Sequence, residues 1–244
     1  MRGQRSPVSD EQLDALKTLP FEAVWQGVVE SGHTNCYHSG LRSTRPMERM
    51  VGRALTIRFL PSRPDLDEAV ATLAQEGGYS KAYYVRAAEE SRPGDVLVAD
   101  LGGDVATGGF FGDVTALGAQ LAGAQGVVIW GSTRDFAELA AMPGFPVLAV
   151  GFDPRGTVQT GVDWNVPVRI GGTTVLPGDV VLADSYAALF FPPQHAAKVI
   201  LRAREIAGEE EYARELVRRR DRPFREIYPM GPELRQRYQR ERGK

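Results

Sequence analysis

Three short runs, Val96–Ala99, Val127–Trp130 and Val147–Val150, are apolar throughout and stand between segments of helical pattern. Strands of this kind, separated by helices of about a dozen residues, need cover on both faces and place the middle of the chain in an α/β domain. The helical pattern lies over Asp113–Ala124 after the first run, and a short helix is expected from Arg134 or Asp135 after the second. A glycine-rich connection, Leu101–Gly112, leads from the first strand into the helix at Asp113.

The flanks extend this core. Asp10 is placed to cap a helix over Glu11–Leu19, and a second helix is expected over Pro20–Glu30. Ala54–Phe59 alternates as a strand does, and Asp65–Gln75 reads as a helix with acids in its first turn. After Phe152 the pattern changes to strands joined by Gly171-Gly172 and Pro177-Gly178 turns, which predicts a hairpin or meander. Ala187–Phe191 adds one more strand, and a helix runs from Pro192-Pro193 to about Ile206. The expected organisation is an N-terminal polar, helical arm over 1–19, one domain over 20–205 and a charged helical tail over 206–244. From Arg202 onward there are thirteen Lys and Arg against nine Asp and Glu, so the tail is expected as exposed helices lying on the body or on a neighbouring subunit, with no core of its own.

With 244 residues, 43% hydrophobic and 25% charged, the composition is that of a soluble globular chain. A net charge of −2 provides no global basic field for nucleic acid. One cysteine, Cys36, forms no internal disulfide and no four-cysteine zinc site. No apolar run approaches the roughly 18 residues of a membrane helix, and Met1–Gln12 lacks the apolar stretch of a signal peptide. The expectation is a cytoplasmic protein.

The glycine loop ahead of a helix is either an anion pocket, with amides and helix dipole facing the ligand, or a loop that needs positive φ at several places. It contains neither G-x-G-x-x-G nor GK[ST], so a carboxylate suits it better than a nucleotide phosphate. Gly131-Ser132-Thr133-Arg134-Asp135 follows the C-terminal end of a buried strand, the edge at which α/β sheets bind ligands. Arg134 offers a planar clamp for a carboxylate, and Asp135 with Asp113 offers hard oxygen ligands that suit Mg²⁺ or Mn²⁺ rather than zinc. The alternative is a plain helix start, with Asp135 favoured by the dipole and Arg134 paired to Glu138.

Asp113, twenty residues, Arg134-Asp135, two residues and Glu138 together resemble the D-x20-R-D-x2-E/D motif of the 4-hydroxy-4-methyl-2-oxoglutarate aldolase family. That family includes the regulator of ribonuclease activity A, RraA. The stretches MVGRALTIRFLP, PGDVLVAD, GVVIWGSTRD and LPGDVVLAD follow the family's order across about residues 20–200. The resemblance implies a compact β/β/α fold of the swivelling-domain type, assembled as homotrimers or homohexamers with sites at subunit interfaces. It implies Asp135 as metal ligand, Asp113 holding water on the metal, Arg134 clamping the substrate carboxylate and keto oxygen, and Glu138 in support. Backbone amides at Gly112, Asp113, Val114 and Thr115 would bind the pyruvyl carboxylate, and a neighbouring subunit would add an acidic residue. The implied activity is a lyase with Mg²⁺ or Mn²⁺ that cleaves a 4-hydroxy-2-oxo acid or decarboxylates oxaloacetate through a pyruvate enolate. The rival readings are a non-catalytic regulator of a ribonuclease or helicase, and a hydratase or hydrolase acting on a sugar-acid-derived 2-oxo acid.

Other candidates carry less. His33, Cys36 and His38 could be soft metal ligands or part of a pocket wall. His195 is expected at the surface or as a helix cap. Ser132 lies outside any G-x-S-x-G context. Arg218–Arg220 is expected as a solvated helix face, with RNA contact as the alternative.

Overall fold

In the computed structural model, which describes residues 7–77 and 83–242, four parallel strands form the centre of one sheet. They are β3 (Met50–Pro61), β4 (Asp95–Asp100), β5 (Val127–Thr133) and β6 (Val147–Phe152). Two short strands from earlier in the chain, β1 (Tyr37–Ser39) and β2 (Arg42–Ser43), take its opposite edges. The outer side of β3 is shared. Its first half pairs with β10 (Val180–Ala183), which is followed by β11 (Ala187–Phe191), and its second half pairs with β7 (Gln159–Trp164). β3 is thus twice as long as the Ala54–Phe59 segment whose alternation announces it, because strand partners on both sides extend it at each end.

Side chains alternate across a strand, and the two faces of this sheet meet different partners. Val51, Leu55 and Ile57 of β3 face helices. One group comprises α3 (Pro64–Glu76), α4 (Tyr83–Glu89), α5 (Asp113–Leu121) and α6 (Phe136–Ala140), and the other comprises α1 (Asp10–Thr18), α2 (Phe21–Glu30) and α7 (Ala196–Arg219). Met50 and Ala54, on the other face, pack with Val96, Val98 and Val128 against a hairpin of β8 (Val168–Ile170) and β9 (Thr173–Val175). Hairpin, sheet and helices make a β/β/α stack, as the resemblance implies. Each large side chain buried in it contributes roughly 1.5–3 kcal/mol.

Several local expectations change. Ser9, not Asp10, caps α1: its Oγ accepts from the Gln12 amide at 3.2 Å and the Gln12 side chain accepts from the Ser9 amide at 2.9 Å. Leu13 and Leu16 of α1 share a core with Val24 and Val28 of α2 and Val199 of α7. α7 continues to Arg219 instead of ending near Ile206. The tail does bury a small cluster: α8 (Phe224–Ile227) and α9 (Pro232–Arg242) fold back so that Ile227, Met230 and Leu234 cover Ala213 and Leu216. Few apolar residues suffice because they close only against α7. Arg218 and Arg219 pair with Glu211 and Glu215, which gives the solvated face expected there. Among the described residues, no helix is long and apolar enough to cross a membrane.

Asp179 closes the turn between β9 and β10, where its carboxylate accepts from the Leu176 amide at 2.8 Å. Burial pushes its carboxyl up from 3.8 to about 6, with that hydrogen bond opposing. The native state therefore holds this proton more tightly than the unfolded chain does. As pH rises from about 4 through about 6 the unfolded chain ionises first, and stability falls by roughly 1–3 kcal/mol. Asp179→Asn, which keeps an acceptor for Leu176, is expected to recover that amount at neutral pH and to flatten the decline. Urea unfolding at about pH 4 and 7 checks this; a variant no more stable than the wild type at pH 7 would contradict it.

Candidate active site

The C-terminal ends of β4, β5 and β6 deliver three loops to one place. The glycine loop after β4 is laid against the other two. The Gly109 amide donates to the Arg155 carbonyl at 3.0 Å, and the Phe111 carbonyl accepts from the Arg134 amide at 3.2 Å and the Thr133 hydroxyl at 2.6 Å. Buried Phe110 and Phe111 anchor it, packing on Phe59 and Phe145. Glycine is needed at Gly108, where φ is +84° and a methyl group would lie 2.5 Å from the Gly156 carbonyl oxygen.

At the end of β5 the chain turns sharply. Asp135 adopts the left-handed conformation, φ 55° and ψ 45°, ahead of α6, so neither Arg134 nor Asp135 begins a helix as expected. Asp tolerates this conformation better than most side chains, and strain of about 1 kcal/mol at such a turn is common in functional sites. The turn brings Asp135 Oδ2 within 3.4 Å of the Asp113 amide and 3.3 Å of Arg134 Nε. Neither Nη of Arg134 donates a hydrogen bond among the described residues, and its side chain is 45% exposed.

Between these groups lies a polar cavity of about 220 Å³, lined by Gly112, Asp113, Val114, Thr115 and Arg134. Gly112 caps α5 without any side-chain hydrogen bond; the Asp113 amide is engaged by Asp135, and the positive end of the dipole with the remaining first-turn amides faces the cavity beside the Arg134 guanidinium. An arrangement of this kind suits an anionic group such as a carboxylate. Asp135 meets the same wall through its contact with Asp113, whereas exposed Glu138 lies on α6 outside the lining. The cavity also takes in Gly109 and Phe110 of the glycine loop read as an anion pocket, together with Gly156 and Thr157, which sequence reasoning missed. The signal for these last two was position: Asp153-Pro154-Arg155-Gly156 follows the third parallel strand at the same sheet edge. There Arg155 holds the Asp153 carboxyl down to about 2 through a 2.6 Å ion pair, which keeps this arginine engaged and leaves Arg134 to the cavity.

The donor set is oxygen. One carboxylate, Asp113, lines the polar cavity and a second, Asp135, lies against its wall; a pair of this kind fits a hard divalent cation that keeps several of its waters. Among the described residues no group of three His, Cys, Asp or Glu is placed to hold a metal. His33, Cys36 and His38 are dispersed. The His33 ring packs on His195 at 4.9 Å, the His38 ring packs on Trp130 at 4.5 Å, and Cys36 is buried in the core, which raises its thiol to about 11. Burial lowers the His38 pKa. His195 stands at the α7 N-cap without capping through its side chain. Ser132 is buried and donates to the Val105 carbonyl at 3.3 Å.

Comparison with known proteins finds relatives in sequence and in fold. A family model described as RraA-like, Aldolase/RraA, matches residues 8–189. A 4-hydroxy-4-methyl-2-oxoglutarate aldolase of Thermus thermophilus is 36% identical over 105 residues, 43% of this chain and 63% of that one. A Halalkalibacterium halodurans protein provisionally named for the same activity is 32% identical over 128 residues, 52% of this chain and 60% of that one. The matched stretch thus spans about three fifths of these relatives. Among solved structures, Streptomyces coelicolor RraAS2, described as an unusual member of the RNase ES inhibitor RraA family, superposes with a TM-score of 0.75. It is 26% identical, with 86% of this chain and 98% of that one covered. A Pseudomonas syringae protein at 22% identity shares the fold, with a TM-score of 0.72 over 91% of this chain and 98% of that one.

Proposed function

This chain belongs to the RraA-like family, and on that premise we propose that it is a divalent-metal-dependent lyase that releases pyruvate from a 4-hydroxy-2-oxo acid or from oxaloacetate. The observation that carries the reading is that Arg134 and the first turn of α5 line one polar cavity, with Asp135 just behind its wall in contact with both. The substrate carboxylate lies on the amides of Gly112–Thr115, and Arg134 holds the keto oxygen with a planar guanidinium. Asp135 would hold Mg²⁺ or Mn²⁺, Asp113 would hold water beside it, and Glu138 would act from outside the lining. The cation supplies Lewis-acid stabilisation of the negative charge that develops on the keto oxygen. In the cleavage, water at Asp113 takes the proton of the C4 hydroxyl, the C3–C4 bond breaks, and its electron pair enters the C2–C3 enolate. A proton returned to C3 completes pyruvate. Oxaloacetate reaches the same enolate by losing carbon dioxide. We also propose a homo-oligomer: Val114, Leu117 and Leu121 form an exposed apolar stripe along α5 beside the cavity, suited to a second copy.

The test is pyruvate release from oxaloacetate and from 4-hydroxy-4-methyl-2-oxoglutarate with Mg²⁺ or Mn²⁺, repeated with EDTA, on protein whose mass is read by light scattering. Turnover above the metal-only rate that EDTA abolishes, from a trimer or hexamer, is the expected result. Folded, metal-loaded protein without turnover would favour the regulator of a ribonuclease to which the Streptomyces likeness points.

A further inference from the structure

A second cavity, of about 400 Å³, adjoins the first. Thr157 lines both, and Phe59 in the second packs its ring against Phe110 of the first, with centroids 4.8 Å apart. Phe59 stands at a break in the β3–β7 register, between Arg58 and Phe59, and such irregularities re-aim side chains. The walls of the second cavity are half apolar, from Phe59, Val70, Ala71 and the exposed rim residue Val158. Its polar side chains are neutral or acidic. Asp67 accepts from the Ser62 hydroxyl at 2.6 Å and from the Thr160 hydroxyl, and these bonds hold its carboxyl below the usual range. Gln159 turns its amide away to the Leu101 carbonyl at 2.7 Å. No Lys, Arg or His is among the described residues that line it.

We propose that this cavity is the distal subsite of the same reaction, and that it takes a neutral, hydroxyl-bearing chain beyond C4 in preference to one ending in a carboxylate. The inference rests on reading the first cavity as the site of the pyruvate enolate. A second carboxylate would meet the fixed charge of Asp67 with no cation among the described lining residues to offset it. The donors of Ser62 and Thr160 are already spent on Asp67, so these three groups offer the ligand oxygen that accepts, while Thr157, whose hydroxyl accepts from the Gln159 backbone amide at 3.1 Å, adds a neutral donor. Hydroxyl groups can donate to that oxygen while the carbon chain lies on Phe59 and Val70. The product leaving this subsite is then a neutral aldehyde: the C4 hydroxyl loses its proton, C4 becomes the carbonyl, and the C3–C4 pair passes to the enolate. The selection acts by excluding the charged competitor as much as by binding the neutral one.

The experiment measures kcat/KM of the full chain with Mg²⁺ or Mn²⁺ on a 4-hydroxy-2-oxo acid bearing a neutral polyol tail and on 4-hydroxy-4-methyl-2-oxoglutarate. Oxaloacetate, which needs only the first cavity, is the control. The neutral substrate is expected to be favoured by about tenfold or more. Val158→Arg, at an exposed position that leaves folding undisturbed, is expected to shift that ratio at least tenfold toward the dicarboxylate, and Asp67→Asn to shift it the same way. Oxaloacetate turnover with no preference for the neutral tail, or a preference that neither variant moves, would overturn the subsite and leave the enolate site standing. Failure on all three substrates, oxaloacetate included, would overturn the enolate reading and the subsite with it.

Discussion

Asp135→Asn is expected to cost on the order of 10³-fold or more in metal-dependent kcat/KM, about 4 kcal/mol of transition-state stabilisation. The substitution is nearly isosteric. Asn tolerates the left-handed backbone at this turn, and its side-chain oxygen can still accept from the Asp113 amide, now 3.4 Å from Oδ2. What it removes is the negative charge that would hold a divalent cation beside Arg134. Thermal stability should therefore stay within a few degrees of the wild type while turnover disappears. Arg134→Lys belongs beside it: a point charge on a flexible stem cannot reproduce a planar two-point contact, and a loss of roughly 10²-fold is expected with the fold intact. Wild-type rates in both variants would remove the site assignment altogether.

Much of this site was readable in advance because parallel strands that are buried on both faces leave little ambiguity. Val96–Ala99, Val127–Trp130 and Val147–Val150 lie within β4, β5 and β6, and α5 begins at Asp113 as expected. Ligand-binding loops follow the C-terminal ends of such strands, so Asp113 and Arg134 were expected at one end of the sheet, and both line the cavity. What escaped was local conformation under tertiary control. The hydrogen bond from the Arg134 amide to Phe111 keeps the chain extended past Thr133, so α6 starts later than its helix-like sequence suggests and Glu138 ends outside the cavity lining. Loop closure across long sequence distance was equally hidden. Gly156 and Thr157 meet the glycine loop where Gly109 bridges Ser132 of β5 and Gly156 after β6. The pairing of His33 with His195 separates two residues that sequence spacing alone would group with Cys36.

Gly112→Ala is expected to cut the proposed turnover by about 10²-fold without unfolding the chain, and the reason lies in one contact. Gly112 has φ −128° and ψ −176°, extended backbone that any residue adopts. Alanine there carries no conformational penalty and stabilises slightly, by about 0.4–1 kcal/mol, through the unfolded chain. Its methyl group, however, would sit 2.2 Å from Asp135 Oδ2 and 3.1 Å from Arg134 Nε. The Asp135 side chain is short, so its carboxylate must rotate away, and a displacement of about 1 Å at a reacting centre costs on the order of 10²-fold. Gly108→Ala makes the opposite trade, since its φ of +84° and the backbone oxygen of Gly156 at 2.5 Å leave nothing flexible to move. That variant should lose roughly 1–3 kcal/mol of stability. Measuring kcat/KM and thermal unfolding on both separates the roles. If Gly112→Ala turns over like the wild type, the Asp135 carboxylate has no required position, and the cavity between Gly112 and Arg134 is not where the chemistry occurs.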